Sequence, residues 1–489
     1  MFSEDYNFYS NEVQKHHAID EDRGRIYIRN GYQLVDPINI SKASDWDLYP
    51  FIIGNGSESN PYIIENIEIV GDGIKTVESG NDTLLDISSV GIYINAGGSF
   101  IIRNAKISHT SIGILLSVGI TPGVYPISNI EIGECSIGIY SRWQHVNVSI
   151  SDCYIHDCNW VSIKAKIDIN YYLDYGGIGL WIRSDGGGIT DCRIEDCSIG
   201  MVAGLIKKNY NNKFINCGFV PDYTYAYITT YNESNTVNGK PIGIFFGINN
   251  LNLTNASLYG QLIFGSCSNL TLSNVHINKP CSIGIQLFSS SFLNQTNILN
   301  NIIIENQKLG MYVFGGNVIG DNLYVKNCEA GFYFNDLEDS EFIKIMIDNT
   351  DIPIYMIGQS INNLTIELER LTKLYFVNYY ATYTDLLEIN LGNDVSMRYI
   401  NELGILGYSV QFDSFGTYHL NLTTPASHFT QNIFTIVSVP RNIRPDIYVN
   451  VKEFPFIWIW SITLLVLVIV IELSFKFYLK VDFFSKKQK

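Results

Sequence analysis

Residues 191–201 read DCRIEDCSIGM. Counting from Gly200, a cysteine stands eight residues before, an isoleucine six before, a second cysteine three before and Met201 one after. The earlier heptad DCYIHDC (152–158) has the same internal spacing. These offsets recur around a series of Gly anchors at Gly91, Gly113, Gly138, Gly200, Gly243, Gly284, Gly310 and Gly331, with Val161 in the equivalent role. Neighbouring anchors are mostly 21–26 residues apart, and the larger gaps hold extra coils or loops. A period of this size marks a repeat architecture.

The columns have physical content. One residue after the anchor come Ile92, Ile114, Ile139, Met201, Ile244, Ile285, Met311 and Phe332. Three after come Ile94, Leu116, Phe246, Leu287, Val313 and Phe334. This alternation describes a strand with one buried face. Six before the anchor, Ile107, Ile132, Ile155, Ile194, Ile304 and Val325 belong to a second short strand. Asn, Asp, Gly and Ser between the strands supply tight turns. Helical periodicity is nearly absent before Phe454, and neither a leucine-rich frame nor a blade of about 40 residues is present. The expected fold is all-β: a right-handed parallel β-helix whose coils stack about 4.8 Å apart.

The register also predicts what the cysteines do. Three before the anchor stand Ser88, Thr110, Cys135, Cys158, Cys197, Cys281 and Cys328; eight before stand Ala105, Ile130, Cys153 and Cys192. Cys alternates here with Ser, Thr, Ala and Ile, as in a column of small inward residues. Cys153 and Cys158 fall in different columns, separated by roughly 16 Å if extended, which argues against a shared metal. Stacked cysteines are close enough to bridge, but nine is an odd number and side chains of one column point in parallel. An internal thiol ladder is therefore expected.

Composition narrows the function classes. Asp and Glu (48) outnumber Lys and Arg (32), giving a net charge of −16. Without clustered cations before the last fourteen residues, a nucleic-acid partner is not expected. From Phe454 to Ile471 the chain is free of charge, and Trp458 and Trp460 sit at one end. Lys476, Lys480, Lys486, Lys487 and Lys489 follow the other. This predicts a transmembrane helix over Phe454–Phe475, with a cytoplasmic tail and the bulk of the chain outside the cell. The first residues, MFSEDYNFYSNEVQKHH, have no apolar core of a secretory signal, so either a signal lies upstream or the chain is a tail-anchored cytoplasmic protein; the external assignment is the favoured one. Eleven Asn-x-Ser/Thr sequons, at Asn39, Asn55, Asn81, Asn147, Asn232, Asn252, Asn255, Asn269, Asn294, Asn363 and Asn421, agree with exposure as a glycoprotein.

FIIGNGSESNPYIIENIEIVG (51–71) resembles the lead-in of right-handed parallel β-helix repeat proteins common on archaeal surfaces. FIIRNAKISHTSIGILLS (100–117) resembles their coil, and GRIYIRNGYQL (24–34) the strand preceding the lead-in. The resemblance spans about residues 24–360. It implies the β-helix fold and a pectate-lyase-like superfamily containing lyases, epimerases, adhesins and a copper-binding accessory protein of nitrous oxide reductase maturation.

Each of those chemistries makes its own demand on the residues. Lyases of this kind use acidic residues, often with calcium, and a basic residue on the outer face. The densest candidate set is Arg183, Asp185 and Asp191, with Arg193, Glu195 and Asp196 beside it. The same residues also suit turns and the solvated face of a strand. Copper binding would need clustered His, Met and exposed Cys, and only His16–His17 are adjacent. No metal site and no cofactor is expected, with calcium entering only for a lyase. Two insertions, 164–177 and 220–240, offer Tyr171, Tyr172, Tyr175, Tyr223, Tyr225, Tyr227 and Tyr231, with Trp181 or Trp143 nearby if the coils stack. Such aromatics stack on sugar rings, but alternating tyrosines equally form a half-buried hairpin.

The expected domains are a lead-in and cap (1–50), the β-helix (51–380), a membrane-proximal β-sandwich-like domain (381–452), the transmembrane helix (453–475) and the basic tail (476–489). In the third, GTYHLNL (416–422) is similar to a strand of immunoglobulin-like surface modules. The expected function is non-enzymatic binding of polysaccharides or surface glycoproteins at the cell membrane; a lyase, hydrolase or epimerase acting on the outer face is the alternative.

Overall fold

The computed structural model describes residues 27–357 apart from positions 30, 80–81, 87, 118–123, 142–146, 160–175, 183–186, 204–207, 222–233, 289–295, 336 and 338–339. Beyond them it describes the backbone of eight strands within 365–453. The fold is a parallel β-solenoid with almost no helix. Each coil contributes one long strand that bends and one short flat strand. Phe100–Ser108 bends and Ile112–Leu116 is flat; Val124–Gly133 bends and Ile137–Ser141 is flat. Ile107, Ile132, Ile155 and Ile194 stack in register on the bent sheet. Ile114, Ile139, Leu180 and Met201 stack on the flat one.

The bends are made by residues with positive φ. At the first corner these are Asn104, Asn129, Asp152, Asp191 and Asn211; at the second, His109, Glu134, Asp157, Asp196 and Asn216. Asn and Asp accept this left-handed conformation more readily than other non-glycine residues. Their side chains also link the coils: Asn129 Nδ2 donates to Asn104 Oδ1 at 2.6 Å, and Asn216 Nδ2 to Asp196 Oδ1 at 2.8 Å. Part of the abundance of Asn in the sequence is this ladder.

The anchor glycines have a separate cause. A Cβ on Gly113 would lie 2.6 Å from the Gly138 carbonyl oxygen and 2.8 Å from Ile132 Cγ2. Gly91 and Gly310 are hemmed in alike, so the column needs glycine because the next coil's carbonyl points into its space. Two assignments from the sequence need correction. The slot given to Val161, which lies outside the described residues, belongs to Gly179, in register between the strands that carry Gly138 and Gly200. Gly243 pairs with Leu262 and stands outside the column.

The solenoid is folded back on itself. Its first lobe ends at strand Thr236–Val237, which forms an antiparallel hairpin with Lys240–Pro241. Asn238 (φ 48°) and Gly239 (φ 80°) make the turn, the Asn-Gly pairing that suits a two-residue hairpin. The second lobe then stacks in the opposite sense alongside the first. Gly218 N–H donates to Ser282 Oγ at 2.9 Å, whereas Lys308 Nζ, a coil further on, donates to the carbonyl of Cys197, a coil further back. The two flat sheets meet face to face, so the order of layers is bent, flat, flat, bent.

Burial records this packing. Every residue of Ile112–Leu116, Ile137–Ser141, Ile178–Ile182 and Ile199–Ala203 is buried, on both faces. The same holds for Gln261–Gly265, Ile283–Phe288 and Ala330–Asn335 in the second lobe. The outward row Leu115, Tyr140, Trp181, Val202 of the first lobe joins Ile263, Tyr312, Tyr333 and Tyr355 of the second in one hydrophobic cluster. Inside the second lobe, Leu262, Phe264, Ile285, Leu287, Met311, Phe332 and Phe334 form a separate core.

At the start, the coil begins upstream of Phe51. Tyr32–Leu34 joins the bent sheet and Ile38–Ile40 the flat one, while Trp46 stacks on Tyr62 at 4.1 Å. At the other end, Thr365–Leu368 pairs in parallel with Thr435–Ser438, and Lys373–Phe376 pairs antiparallel with Tyr408–Gln411. The described backbone of 395–438 thus extends the second lobe's sheets. Phe454–Phe475 lies outside the described residues; among those described, no helix is long and apolar enough to cross a membrane.

Candidate functional site

The heptads DCYIHDC and DCRIEDC occupy adjacent coils in register: Tyr154 pairs with Arg193, Ile155 with Ile194 and His156 with Glu195. In these three-residue strands the central isoleucine faces the core and its two neighbours face outward. Tyr154, His156, Arg193 and Glu195 therefore share one outer facet. Asp152 and Asp191 border it at the first corner, and Asp157 and Asp196 at the second, all four exposed. Lys213 continues the Tyr154–Arg193 row on the next coil and is also exposed.

The four side chains form one connected set. Arg193 donates from Nε (2.9 Å) and Nη2 (2.6 Å) to Glu195 Oε2, and Tyr154 OH donates to the same oxygen at 3.1 Å. The guanidinium lies 5.5 Å from the Tyr154 ring centroid, and the His156 ring stacks on Tyr154 at 4.5 Å. His156 Nδ1 lies 2.8 Å from Asp157 Oδ2. Beneath it, Gly133 leaves room for the imidazole, since a Cβ there would run into the ring. Partial burial and then the Glu195 carboxylate push the Tyr154 hydroxyl above its ordinary value. The hydrogen bond to Glu195 raises Arg193 in turn. Tyr154 and Arg193 are thus held in their protonated forms as hydrogen-bond donors. Towards the lobe's start the same facets carry Lys106–Glu131 and Arg103–Glu65 pairs, both at 2.6 Å.

This geometry separates the residues singled out from the sequence. Asp191 is a corner residue, exposed, and accepts from Asn211 Nδ2 at 3.0 Å. Arg193 and Glu195 lie on a strand's outer face, as the turn-and-strand alternative anticipates. Arg183 and Asp185 lie outside the described residues, as do Tyr171, Tyr172, Tyr175, Tyr223, Tyr225, Tyr227, Tyr231 and Trp143. Trp181 is corrected: it is 4% exposed and packs against Tyr140 with ring centroids 4.6 Å apart, buried between the lobes. Its ring is closed to a sugar because the outward face of the flat sheet is covered by the second lobe. Tyr154 and His156 were missed as site residues. The signal was the equal length of the two heptads, which forces them onto neighbouring positions of adjacent coils.

All nine cysteines are buried free thiols. Cys135, Cys158, Cys197 and Cys217 stack inside the second corner over successive coils, and Cys153 and Cys192 inside the first. Most donate to the carbonyl two residues before: Cys153 to Ser151 (3.2 Å), Cys192 to Thr190 (3.3 Å), Cys197 to Glu195 (3.3 Å) and Cys328 to Lys326 (3.4 Å). A small, weakly polar donor suits a corner whose carbonyl turns inward; Thr110, in the same column, donates instead to the Ile112 carbonyl at 3.0 Å. No group of three or more His, Cys, Asp or Glu positioned to hold a metal occurs among the described residues.

No family model matches the chain, and the search of curated proteins finds no match. Among solved structures, ORF18 of Geobacillus virus E2 is similar at 10% identity and a TM-score of 0.15, covering 78% of this chain and 71% of its own. A tailspike protein, gp49 of Acinetobacter baumannii bacteriophage Fri1, described as a capsular polysaccharide depolymerase, is similar at 9% identity and a TM-score of 0.16. That alignment covers 80% of this chain and 74% of the tailspike.

Proposed function

We propose that the chain is a binding protein of the cell surface, held by the apolar stretch Phe454–Phe475, and that the first lobe's outer facet engages polysaccharide or surface glycoprotein. The carrying observation is the in-register stack of Tyr154, His156, Arg193 and Glu195 between two rows of exposed Asp and Asn. Hydroxyl, guanidinium, imidazole and carboxylate groups are held there by mutual bonds on a rigid sheet. Donors and acceptors recur at the coil spacing, about 4.8 Å, which suits a chain of repeating hydroxyl-bearing units. Charges bound to one another in this way favour recognition over proton transfer, because a general base needs a pKa near the working pH and an unblocked path to its proton.

The test is binding and product release by the full chain in detergent, over a panel of neutral and acidic polysaccharides with and without calcium. Binding without new reducing or unsaturated ends, weakened about tenfold or more in R193A, is expected. Chain cleavage, or binding indifferent to R193A and Y154F together, would overturn the proposal.

A further inference from the structure

Asn252 and Asn55 are both exposed sequons whose hydroxyl-bearing partner two residues on donates to the asparagine Oδ1, and of the two only Asn252 lies on an outer strand of a sheet. Asn252 opens the strand Asn252–Thr254, the first of the second lobe's bent sheet, which among the described residues pairs on one side only, with Thr271–Ser273. Residues two apart on a strand share a face, and Asn252 and Thr254 are both exposed. Thr254 Oγ1 donates to Asn252 Oδ1 at 3.3 Å, and Asn252 Nδ2 makes no hydrogen bond among the described residues. Asn39, by contrast, is half-buried, with Ser41 on its Oδ1 and the Tyr49 hydroxyl on its backbone N–H. Asn269 uses its Nδ2 in a corner rung, donating to Asn250 at 3.0 Å, so a sugar on that nitrogen would break the rung.

Among the described residues, no strand pairs with the outer edge on which Asn252 sits. The last flat strand of the first lobe, Phe219–Pro221, has its outer edge met by the Gln261 carboxamide. Around the second lobe's first coil, Ile248 is 38% and Leu258 57% exposed, while Leu251 and Leu253 are only partly buried. A strand edge beside exposed apolar residues is a template for pairing with another chain.

We propose that Asn252 is an N-glycosylation site whose glycan covers this edge and keeps copies of the chain from joining there. The amide nitrogen forms a bond to C1 of an oligosaccharide carried on a lipid pyrophosphate. The pyrophosphate carrier departs as the leaving group, and the amide loses one proton. The site goes beyond the binding facet, which lies on the other lobe, and shares with it only the requirement for exposure outside the cytoplasm.

The test is to secrete the full chain, behind a supplied leader, from cells that N-glycosylate, and to map each sequon by mass spectrometry after enzymatic deglycosylation. Asn252 is expected to be occupied in most copies, with Asn39 and Asn269 bare; N252Q and T254A should both abolish the signal. Deglycosylated protein, compared with the glycosylated form by sedimentation in the same detergent, is expected to self-associate about tenfold more tightly. An unmodified Asn252 in the secreted protein overturns the site, whichever other sequons carry sugar. Occupancy with unchanged self-association overturns its role as an edge guard. Neither result depends on glycan binding by the first lobe.

Discussion

Replacing Gln261 with Met would remove a side chain that imitates a peptide unit. Gln261 is fully buried; its Oε1 accepts from the Phe219 N–H at 2.9 Å, and its Nε2 donates to the Phe219 and Ile283 carbonyls, each at 2.8 Å. Met has nearly the same shape, so packing is largely kept and the polar loss dominates. The Phe219 N–H would lose its acceptor in a buried place, costing about 1–3 kcal/mol. The Phe219 carbonyl keeps its bond from Gln286 Nε2 at 2.7 Å, so the two donor bonds together add about 1–2 kcal/mol. The expected loss is roughly 2–5 kcal/mol, borne by the junction of the lobes. Denaturant unfolding measures the total, and hydrogen exchange localises it, with the amide of Phe219 losing protection before those of Ile114 and Ile139. A Q261M protein within 1 kcal/mol of the parent, or with uniform loss of protection, would refute the peptide-mimic role.

Further substitutions probe the coil itself. Gly113→Ala should destabilise by about 1–3 kcal/mol or more, since the new methyl meets a backbone carbonyl that cannot retreat without parting two coils; thermal unfolding reads this directly. Asn129→Ala should cost about 1–3 kcal/mol by combining a left-handed backbone with loss of the bond to Asn104, whereas Asn129→Gly, which accepts that backbone, should cost less. The nine thiols should label slowly in the native protein and at once in denaturant, with fast native labelling of Cys158 or Cys197 contradicting the ladder. Burial pushes the Cys328 thiol from an ordinary value of 9 up to about 11. The folded state therefore holds that proton more tightly than the unfolded chain. The stabilisation is complete below about pH 9 and is lost as pH rises towards 11, by at most about 1.4 kcal/mol per unit. Cys328→Ser, titrated by denaturant over that range, should show a shallower decline.

Most of the coil was legible because its period is written in residues with few substitutes. Ile194 and Ile155 can only be core in a strand flanked by Asp and Cys, and Asn104 or Asp191 marks a corner because few other residues tolerate positive φ there. The fold-back was harder to see. VNGK at 237–240 carries the Asn-Gly hairpin signal, yet it lies at the end of a tyrosine-rich insertion that draws the eye to ligand binding. Without the reversal, the outward row Leu115, Tyr140, Trp181, Val202 looks like an exposed face, and Trp181 like a sugar platform. Which apolar residues cover which is a question of tertiary contact, and the period of a repeat cannot answer it. The candidate site was half legible for the same reason. Arg193 and Glu195 stood out as charged, but their partners Tyr154 and His156 are 39 residues away in sequence and one coil away in space.

The fold-back also constrains where a partner can bind. A solitary solenoid offers every face of each coil to solvent, but here the flat sheets cover one another and only the bent sheets remain outside. The two bent sheets differ. That of the first lobe carries the ion pairs Arg103–Glu65 and Lys106–Glu131 between neighbouring strands and Arg193–Glu195 within one strand. That of the second carries Lys344–Asp321, His276–Glu305 and Tyr324–Asp348 pairs but also presents Ile298 (41% exposed) beside Ile319 (37%) on adjacent strands. Ordered charge with fixed hydroxyls and amides suits a polar, repeating ligand; scattered aliphatic side chains do not. Under the proposed function, recognition would fall to the first lobe, whose bent sheet carries, among the described residues, no exposed isoleucine pair like Ile298 and Ile319, and the second would serve to bury the flat sheet behind it. If so, R193A should weaken glycan binding without lowering stability. Tyr333→Ala, between the lobes, should cost about 3–5 kcal/mol in stability and reach binding only through unfolding. Were Y333A to fold normally and lose binding outright, the division of labour between the lobes would be wrong.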